Sequence, residues 1–120
     1  MSGRKSDSRT QDARPQRSNG CCTASHGLSE ADIAEDVGTL STLGNDTRYE
    51  SLRLIAESED DLCVCEIEPA LGVSQSAVSQ ALSKLFSAGL VERRKEGRWR
   101  YYTATPRAQR LLDVLDETRP

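Results

Sequence analysis

The run of residues 62–85 constrains the fold more than any other stretch, because it has the pattern of two short helices joined by a tight turn. Gly72 stands between the two, and glycine adopts the positive φ of such a turn at little cost. Ser74 follows where its hydroxyl can cap the second helix. Apolar residues then recur at helical spacing, namely Ala77, Val78, Ala81, Leu82 and Leu85. The run therefore predicts a helix-turn-helix.

The opposite side of the predicted second helix carries short polar side chains and one lysine. Side chains of this kind suit base edges and phosphates in a major groove. We expect DNA to be contacted by Ser74, Gln75, Ser76, Ser79, Gln80 and Lys84. A solvated helix pair in an ordinary α-helical bundle fits the periodicity equally well, since the helix-turn-helix pattern is only moderately specific. The next segment favours DNA binding.

Residues 90–103 change to a β-strand pattern, with β-branched and aromatic residues on both sides of Gly97. This pattern predicts a β-hairpin with Gly97 at its tip. The basic residues of the hairpin are Arg93, Arg94, Lys95, Arg98 and Arg100. A basic hairpin directly after a recognition helix is typical of a wing that holds phosphates or enters the minor groove. The alternative is an edge hairpin that its charges keep soluble.

The distribution of charge supports a local DNA-facing surface. The formal net charge is −3, which argues against indiscriminate nucleic-acid binding. However, residues 71–105 carry six basic and two acidic side chains, whereas residues 21–70 carry two and twelve. Positive charge thus collects on the helix-turn-helix and the hairpin.

The rest of the sequence predicts a polar N-terminal arm followed by one domain. Residues 1–28 lack apolar periodicity, and we expect a disordered arm that carries Cys21 and Cys22. Residues 29–118 should form a winged helix-turn-helix domain, mainly α with a small β-hairpin. Its first helix should start at Ser29, its second should be capped by Asp46, and its last should open at Thr105.

The first and last helices each carry an apolar stripe. Only 36% of the residues are hydrophobic, so part of the stability should come from a partner subunit. We expect a homodimer, with packing on the chain's own domain as the alternative. The predicted dimerisation residues are Ile33, Val37, Leu40, Leu111, Leu112 and Leu115.

Several classes of protein are disfavoured. No apolar run approaches a membrane span and the N-terminus lacks a signal-peptide core, so we expect a cytoplasmic protein without a membrane partner. One histidine gives no nucleophile–base set, and no phosphate loop is present, so we expect neither an enzyme nor a small organic substrate. In a reducing cytosol, cysteines more often bind metal or sense redox state than form structural disulfides.

Four segments together resemble the ArsR/SmtB family of metal-responsive repressors, and the resemblance extends over roughly residues 33–115. The segments are residues 43–48, 61–66, 71–82 and 94–102. The resemblance implies a homodimeric winged-helix transcriptional repressor that leaves its operator DNA when an ion binds. It implies that Cys63 and Cys65 are ion ligands and that the helix from Ser74 to Lys84 reads the operator.

The ligand set departs from two patterns of that family. Some members carry a third cysteine three residues after the pair, where this chain has Glu68, and the last helix has no histidine for a zinc-type site. Further ligands would then come from Cys21 and Cys22, as in the cadmium and lead branch.

Thiolates select soft ions. Three sulfurs suit pyramidal As(III) or Sb(III), and four suit a tetrahedral metal. We expect As(III) or Sb(III) as the inducer, with Cd(II), Pb(II) or Zn(II) as alternatives and a thiol redox switch as a further one.

The spacing of the cysteine pair sets a geometric condition. In a regular helix, residues two apart point about 200° apart. Cys63 and Cys65 can therefore share an ion only if the first turn of their helix is distorted or extended.

Overall fold

The computed structural model describes residues 22–120, and residues 1–21, including Cys21 and most of the predicted arm, lie outside the described residues. The elements follow in the order α1 (Glu30–Leu43), α2 (Asp46–Glu57), β1 (Leu62–Cys63), α3 (Val64–Leu71), α4 (Gln75–Ser87), β2 (Val91–Glu96), β3 (Trp99–Ala104) and α5 (Pro106–Thr118). The predicted mainly α fold with a β-hairpin after the helix-turn-helix is confirmed. No helix in the described part is long and apolar enough to cross a membrane.

Polar caps fix where the helices begin. Ser29, Ser74 and Thr105 each accept a hydrogen bond from the backbone N–H three residues later, at 3.0, 3.1 and 3.3 Å. The prediction that Asp46 caps α2 was wrong, because Asn45 accepts the corresponding bond at 3.0 Å. Asp46 instead lies in the first turn, where the helix dipole favours its charge.

Two glycines provide the tight turns. Gly72 ends α3 with φ 70°, and Gly97 has φ 63° between the strands of the hairpin. Both positions were predicted, and both lie in the left-handed region that favours glycine.

The sheet has three antiparallel strands in the order β1-β3-β2. Strands β2 and β3 pair from Val91 with Ala104 to Glu96 with Trp99. Strand β1 pairs Cys63 with Tyr101 on the other edge of β3. The sequence did not predict β1, which joins the start of α3 to the hairpin.

The hydrophobic core collects residues from α2, α3, α4, the sheet and α5. It consists of Leu52, Ile55, Ile67, Val78, Leu82, Leu85, Leu90, Val91, Tyr102, Ala108 and Leu112. In contrast, Thr39 is the buried residue of α1. The inward face predicted for α4 therefore holds that helix on the core, while the apolar stripe of α1 is left uncovered.

Ion pairs position the last helix. The guanidinium of Arg53 in α2 donates two hydrogen bonds to the Asp116 carboxylate in α5, at 2.6 and 3.0 Å. Arg107 in α5 pairs with Glu35 in α1 at 3.2 Å. These contacts hold α1 and α5 on the same side of the domain.

Candidate thiol site and nucleic-acid interface

The thiols of Cys63 and Cys65 meet at the junction of β1 and α3. Cys63 is the N-cap of α3 and has extended backbone angles, φ −89° and ψ 152°. Because Cys63 is not helical, the two side chains converge, and their Sγ atoms lie 2.7 Å apart. A disulfide bond is about 2.05 Å long, and neither residue is oxidised here. The extended first turn is the geometry that a shared ion requires.

The Cys63 side chain also holds the start of α3. Its Sγ accepts a hydrogen bond from the Cys65 N–H at 3.3 Å, while Glu66 Oε1 accepts one from the Cys63 N–H at 2.9 Å. This reciprocal arrangement is a capping box in which a thiol replaces the usual hydroxyl. A change of partner at Sγ therefore acts directly on the N-terminus of α3.

The two thiols differ in their access to solvent. Cys63 is 3% exposed, and Cys65 lies on the surface. The hydrogen bond with Cys63 raises the pKa of the Cys65 thiol, and desolvation and neighbouring charge raise it further. The Cys65 thiol is therefore protonated at neutral pH, and a thiolate-binding ion must displace its proton.

Other candidate ligands are not gathered around this pair within residues 22–120. That part of the chain contains no group of three or more His, Cys, Asp or Glu placed to hold a metal ion. Cys22 is exposed, and Cys21 lies outside the described residues. The ring Nδ1 of His26 accepts a hydrogen bond from the Leu28 N–H at 3.0 Å. The thiol pair thus supplies two sulfurs.

Helix α4 presents a polar face to solvent. The residues of this helix and its N-cap that were predicted to contact DNA are all exposed, namely Ser74, Gln75, Ser76, Ser79, Gln80 and Lys84. Val78, Ala81, Leu82 and Leu85 are buried on the opposite side. The helix is therefore fixed by its apolar face and leaves hydrogen-bonding side chains outward, as major-groove contact requires.

The basic side chains of the hairpin lie on both faces of the sheet. Residues directly opposite on neighbouring strands point to the same face, so Arg94 shares a face with its partner Tyr101, and Arg93 shares the other with Tyr102. The Arg93 guanidinium stacks on Phe86 of α4, 3.9 Å from the ring centroid. Lys95 and Arg100 pair with each other near the tip. Because side chains two apart in a strand point to the same side, Lys95 and Arg100 share the face of Arg93, and Glu92 and Glu96 share the face of Arg94. One cationic face results, and it is attached to α4.

Arg94 is bound by two acidic residues of this chain on the surface of the domain. Its Nε donates to Asp61 Oδ2 at 3.0 Å, and its Nη1 lies 3.1 Å from Glu96 Oε1. Asp61 Oδ1 also accepts a hydrogen bond from the Thr103 hydroxyl at 2.7 Å. The Thr103 bond, and then the Arg94 bond, lower the pKa of the Asp61 carboxyl. Sequence reasoning grouped Arg94 with the DNA-contacting cations and missed Asp61. The two residues are 33 positions apart, and only the pairing of strands in the sheet brings them together.

An apolar groove of about 300 Å³ lies between α1 and α5. Leu40 is 67% exposed, Val37 57% and Val114 54%. The groove is lined by Leu40, Leu43, Gly44, Tyr49, Leu111, Val114 and Leu115. Leu112, which was grouped with the dimerisation residues, is buried in this chain's own core. Val114, which sequence reasoning omitted, faces outward.

Comparison with known proteins identifies relatives along most of the chain. The sequence model of the arsR family of bacterial regulatory proteins matches residues 45–93. A Halobacterium salinarum protein named as an arsenical resistance operon repressor is 52% identical over 110 residues, which are 92% of each chain.

Solved structures are similar over the same region. HlyU from Vibrio cholerae has a TM-score of 0.66 at 30% identity, and the match covers 76% of this chain and 98% of that one. A homodimeric winged helix-turn-helix DNA-binding domain from Mycobacterium bovis has a TM-score of 0.67 at 29% identity, and the match covers 76% of this chain and 86% of that one.

Proposed function

This chain belongs to the ArsR family of bacterial regulatory proteins, which are DNA-binding transcriptional regulators and not enzymes, and we propose that it is an operator-binding repressor released by As(III) or Sb(III). The observation that carries the proposal is the 2.7 Å separation of the Cys63 and Cys65 sulfurs. The pair lies at the start of the helix that precedes the recognition helix. Ligand chemistry at the thiols therefore acts on the DNA-binding elements.

The donor set supports a soft, three-coordinate ion. Cys63 and Cys65 offer two convergent sulfurs, and we assign the third to Cys21 or Cys22 in the N-terminal arm. Thiolates select soft ions over Mg²⁺ or Ca²⁺. A bound As(III) would hold three sulfurs in one pyramidal shell. A tetrahedral Cd(II) or Zn(II) site would need both arm cysteines, and adjacent residues are poorly spaced to chelate one metal.

The DNA-binding surface in this proposal combines α4 with the hairpin. The polar face of α4 enters a major groove, and Lys95, Arg98 and Arg100 contact phosphates or the neighbouring minor groove. Their exposure supports this role, since the side chains of residues 92–100 all lie on the surface. We therefore expect operator duplex DNA as the partner.

A homodimer is the assembly that these surfaces support. The apolar face of α1 and α5 would be covered by the same face of a second copy, and each buried Val or Leu side chain contributes about 1.5–3 kcal/mol. The Mycobacterium bovis relative is described as a homodimer. Two copies would place two recognition helices on half-sites about 34–36 Å apart.

The short separation of the sulfurs also favours a second candidate, a thiol redox switch on the same fold. An oxidant that accepts two electrons and two protons from the two thiols would leave a disulfide between Cys63 and Cys65. Such oxidation would draw the Cys63 sulfur toward Cys65 and so change its bond with the Cys65 N–H at the N-terminus of α3.

One titration separates these candidates. Fluorescence anisotropy of a labelled duplex from the upstream DNA of the regulated operon would be followed under reducing conditions as arsenite, antimonite, cadmium, lead or zinc is added. Release by arsenite or antimonite, lost in Cys65→Ser, supports the proposal. Release only by cadmium, lead or zinc moves the assignment to one of those metals. Release only by a thiol oxidant, added in a parallel titration without reductant, moves it to the redox switch.

A further inference from the structure

We propose that Asp61 is a positioning residue that transmits ion binding at the cysteine pair to the wing by holding Arg94 and Thr103. The inference rests on the proposed function and adds the residue through which the thiols and the DNA-binding hairpin communicate. It follows from three contacts around the short strand β1.

The first contact is the connection along the chain from Asp61 to Cys63. Asp61 lies two residues before Cys63, and β1 between them is extended. Side chains two apart in an extended segment point to the same side. Asp61 therefore moves with the strand whose last residue carries the buried thiol.

The second contact is the carboxylate itself, which reaches both strands of the wing. One oxygen accepts the Arg94 Nε–H of β2 at 3.0 Å, and the other accepts the Thr103 hydroxyl of β3 at 2.7 Å. Both bonds have the usual length for an N–H and an O–H donor, respectively. A displacement of Asp61 thus acts on both strands together.

The third contact is between Arg94 and Tyr101, and it places Arg94 where both Asp61 and DNA can bind it. Its guanidinium lies 4.8 Å from the Tyr101 ring centroid, and Tyr101 pairs with Cys63 on the other side of β3. The Arg94 side chain is 51% exposed, so a DNA phosphate can compete with Asp61 for it. A phosphate that accepts the Arg94 Nε–H takes the one donor that Asp61 uses, so the position of Asp61 sets how available Arg94 is for DNA.

The alternative route to the recognition helix runs through α3. That route would act through the capping box at Cys63 and would leave the Asp61 contacts unchanged. The two routes differ in which residues alter the coupling between ion and DNA. They can therefore be separated by measuring the coupling itself, as the ratio of DNA dissociation constants with and without ion.

The experiment measures this ratio by duplex anisotropy with saturating arsenite, in wild type, Asp61→Asn, Arg94→Gln and the double variant. Effectors typically change affinity about 5–150-fold. We expect either single variant to reduce the wild-type ratio about two- to fivefold, the range of exposed ion pairs. The double variant should reduce it no further, because both changes break the same link, and Asp61→Glu should restore part of the ratio.

Matched controls exclude a general effect of charge. Asp60→Asn removes the same charge one residue earlier and should leave the ratio unchanged. Lys95→Gln should weaken DNA binding equally with and without arsenite. Arsenite affinity, measured without DNA, should be the same in Asp61→Asn as in wild type. Arg94→Gln tests the link from the other strand if Asp61→Asn does not fold.

Outcomes for this inference and for the proposed function are distinct. If arsenite releases wild type and the ratio is unchanged in both single variants, the link through Asp61 is wrong while the repressor function stands. If the two single effects add in the double variant, the residues act separately and the link is also wrong. If no ion releases wild-type protein, the proposed function fails and the link falls with it.

Discussion

Cys63 pairs with Tyr101 across β1 and β3, so the strand that carries the buried thiol is also the third strand of the wing. The same residue is the N-cap of α3. Cys63 therefore joins the wing through its backbone and caps, through its side chain, the helix that leads to the recognition helix. Substitutions at Cys63 can separate these two structural roles from ion binding.

Cys63→Ser should keep DNA binding and remove the response to every ion. A serine hydroxyl is a favourable N-cap, so α3 should keep its start. Cys63→Ala lacks a capping acceptor and should lower the free energy of unfolding by about 0.5–2 kcal/mol relative to Cys63→Ser. Urea denaturation compares the two variants, and duplex anisotropy with arsenite measures the response. An ion response that survives in Cys63→Ser would contradict the assigned site.

The start and end of most elements could be predicted because their determinants are local. Ser74 and Thr105 accept their capping bonds within three residues, and Gly72 needs only its own φ. The choice between Asn45 and Asp46 was missed because both are good caps and adjacent in sequence. Local chemistry identifies the cap region but not the residue.

The contacts that organise the site could not be predicted, because they join residues distant in sequence. The Asp61–Arg94 pair depends on the register of β3 between β1 and β2. The burial of Leu112 depends on how α5 turns against α2, which the Arg53–Asp116 pair helps to set. A leucine stripe shows that a helix has an apolar side but does not show which leucines its own domain covers.

Arg98→Ala should weaken binding to every duplex and reduce the magnitude of the salt slope by about 0.9, as loss of one phosphate contact does. Arg94→Ala should change the slope less, since Arg94 is already paired with Asp61 and Glu96. Gln75→Ala is the matched control on α4. It should instead reduce the ratio of the affinity for operator DNA to the affinity for random DNA. Equal slopes for wild type and Arg98→Ala would contradict the wing assignment.

Leu40→Asp should yield a folded monomer, because Leu40 is 67% exposed on the apolar face of α1. Leu112→Ala should instead lower the free energy of unfolding by about 2–5 kcal/mol, as large-to-small changes in a core do. Sedimentation at micromolar concentration measures assembly, and circular dichroism measures folding. Dimers of unchanged stability in Leu40→Asp would place the interface elsewhere.

Asp116→Asn should destabilise the protein at neutral pH and have less effect in acid. The hydrogen bond from Arg53 lowers the pKa of Asp116 in the folded chain. The carboxylate therefore adds stability above its unfolded pKa of about 3.9, and the contribution is lost as the pH falls through the lower folded value. Urea denaturation between pH 2 and 7 should show the two curves converging at the acidic end. A constant difference across this range would exclude the ion pair as its source.

The double change of Cys21 and Cys22 to Ser should leave DNA binding intact and weaken the response to arsenite. If one arm cysteine completes the site, the variant retains only Cys63 and Cys65, which cannot close a three-sulfur shell around As(III). Each single change should alter the response to arsenite only slightly, because the neighbouring cysteine in the same arm can supply the sulfur in place of the one removed. Arsenic-edge X-ray absorption counts the ligands directly and should report three sulfurs in wild type and two in the double variant. Four sulfurs around cadmium at much tighter affinity, lost stepwise in the single variants, would instead assign the site to a tetrahedral metal.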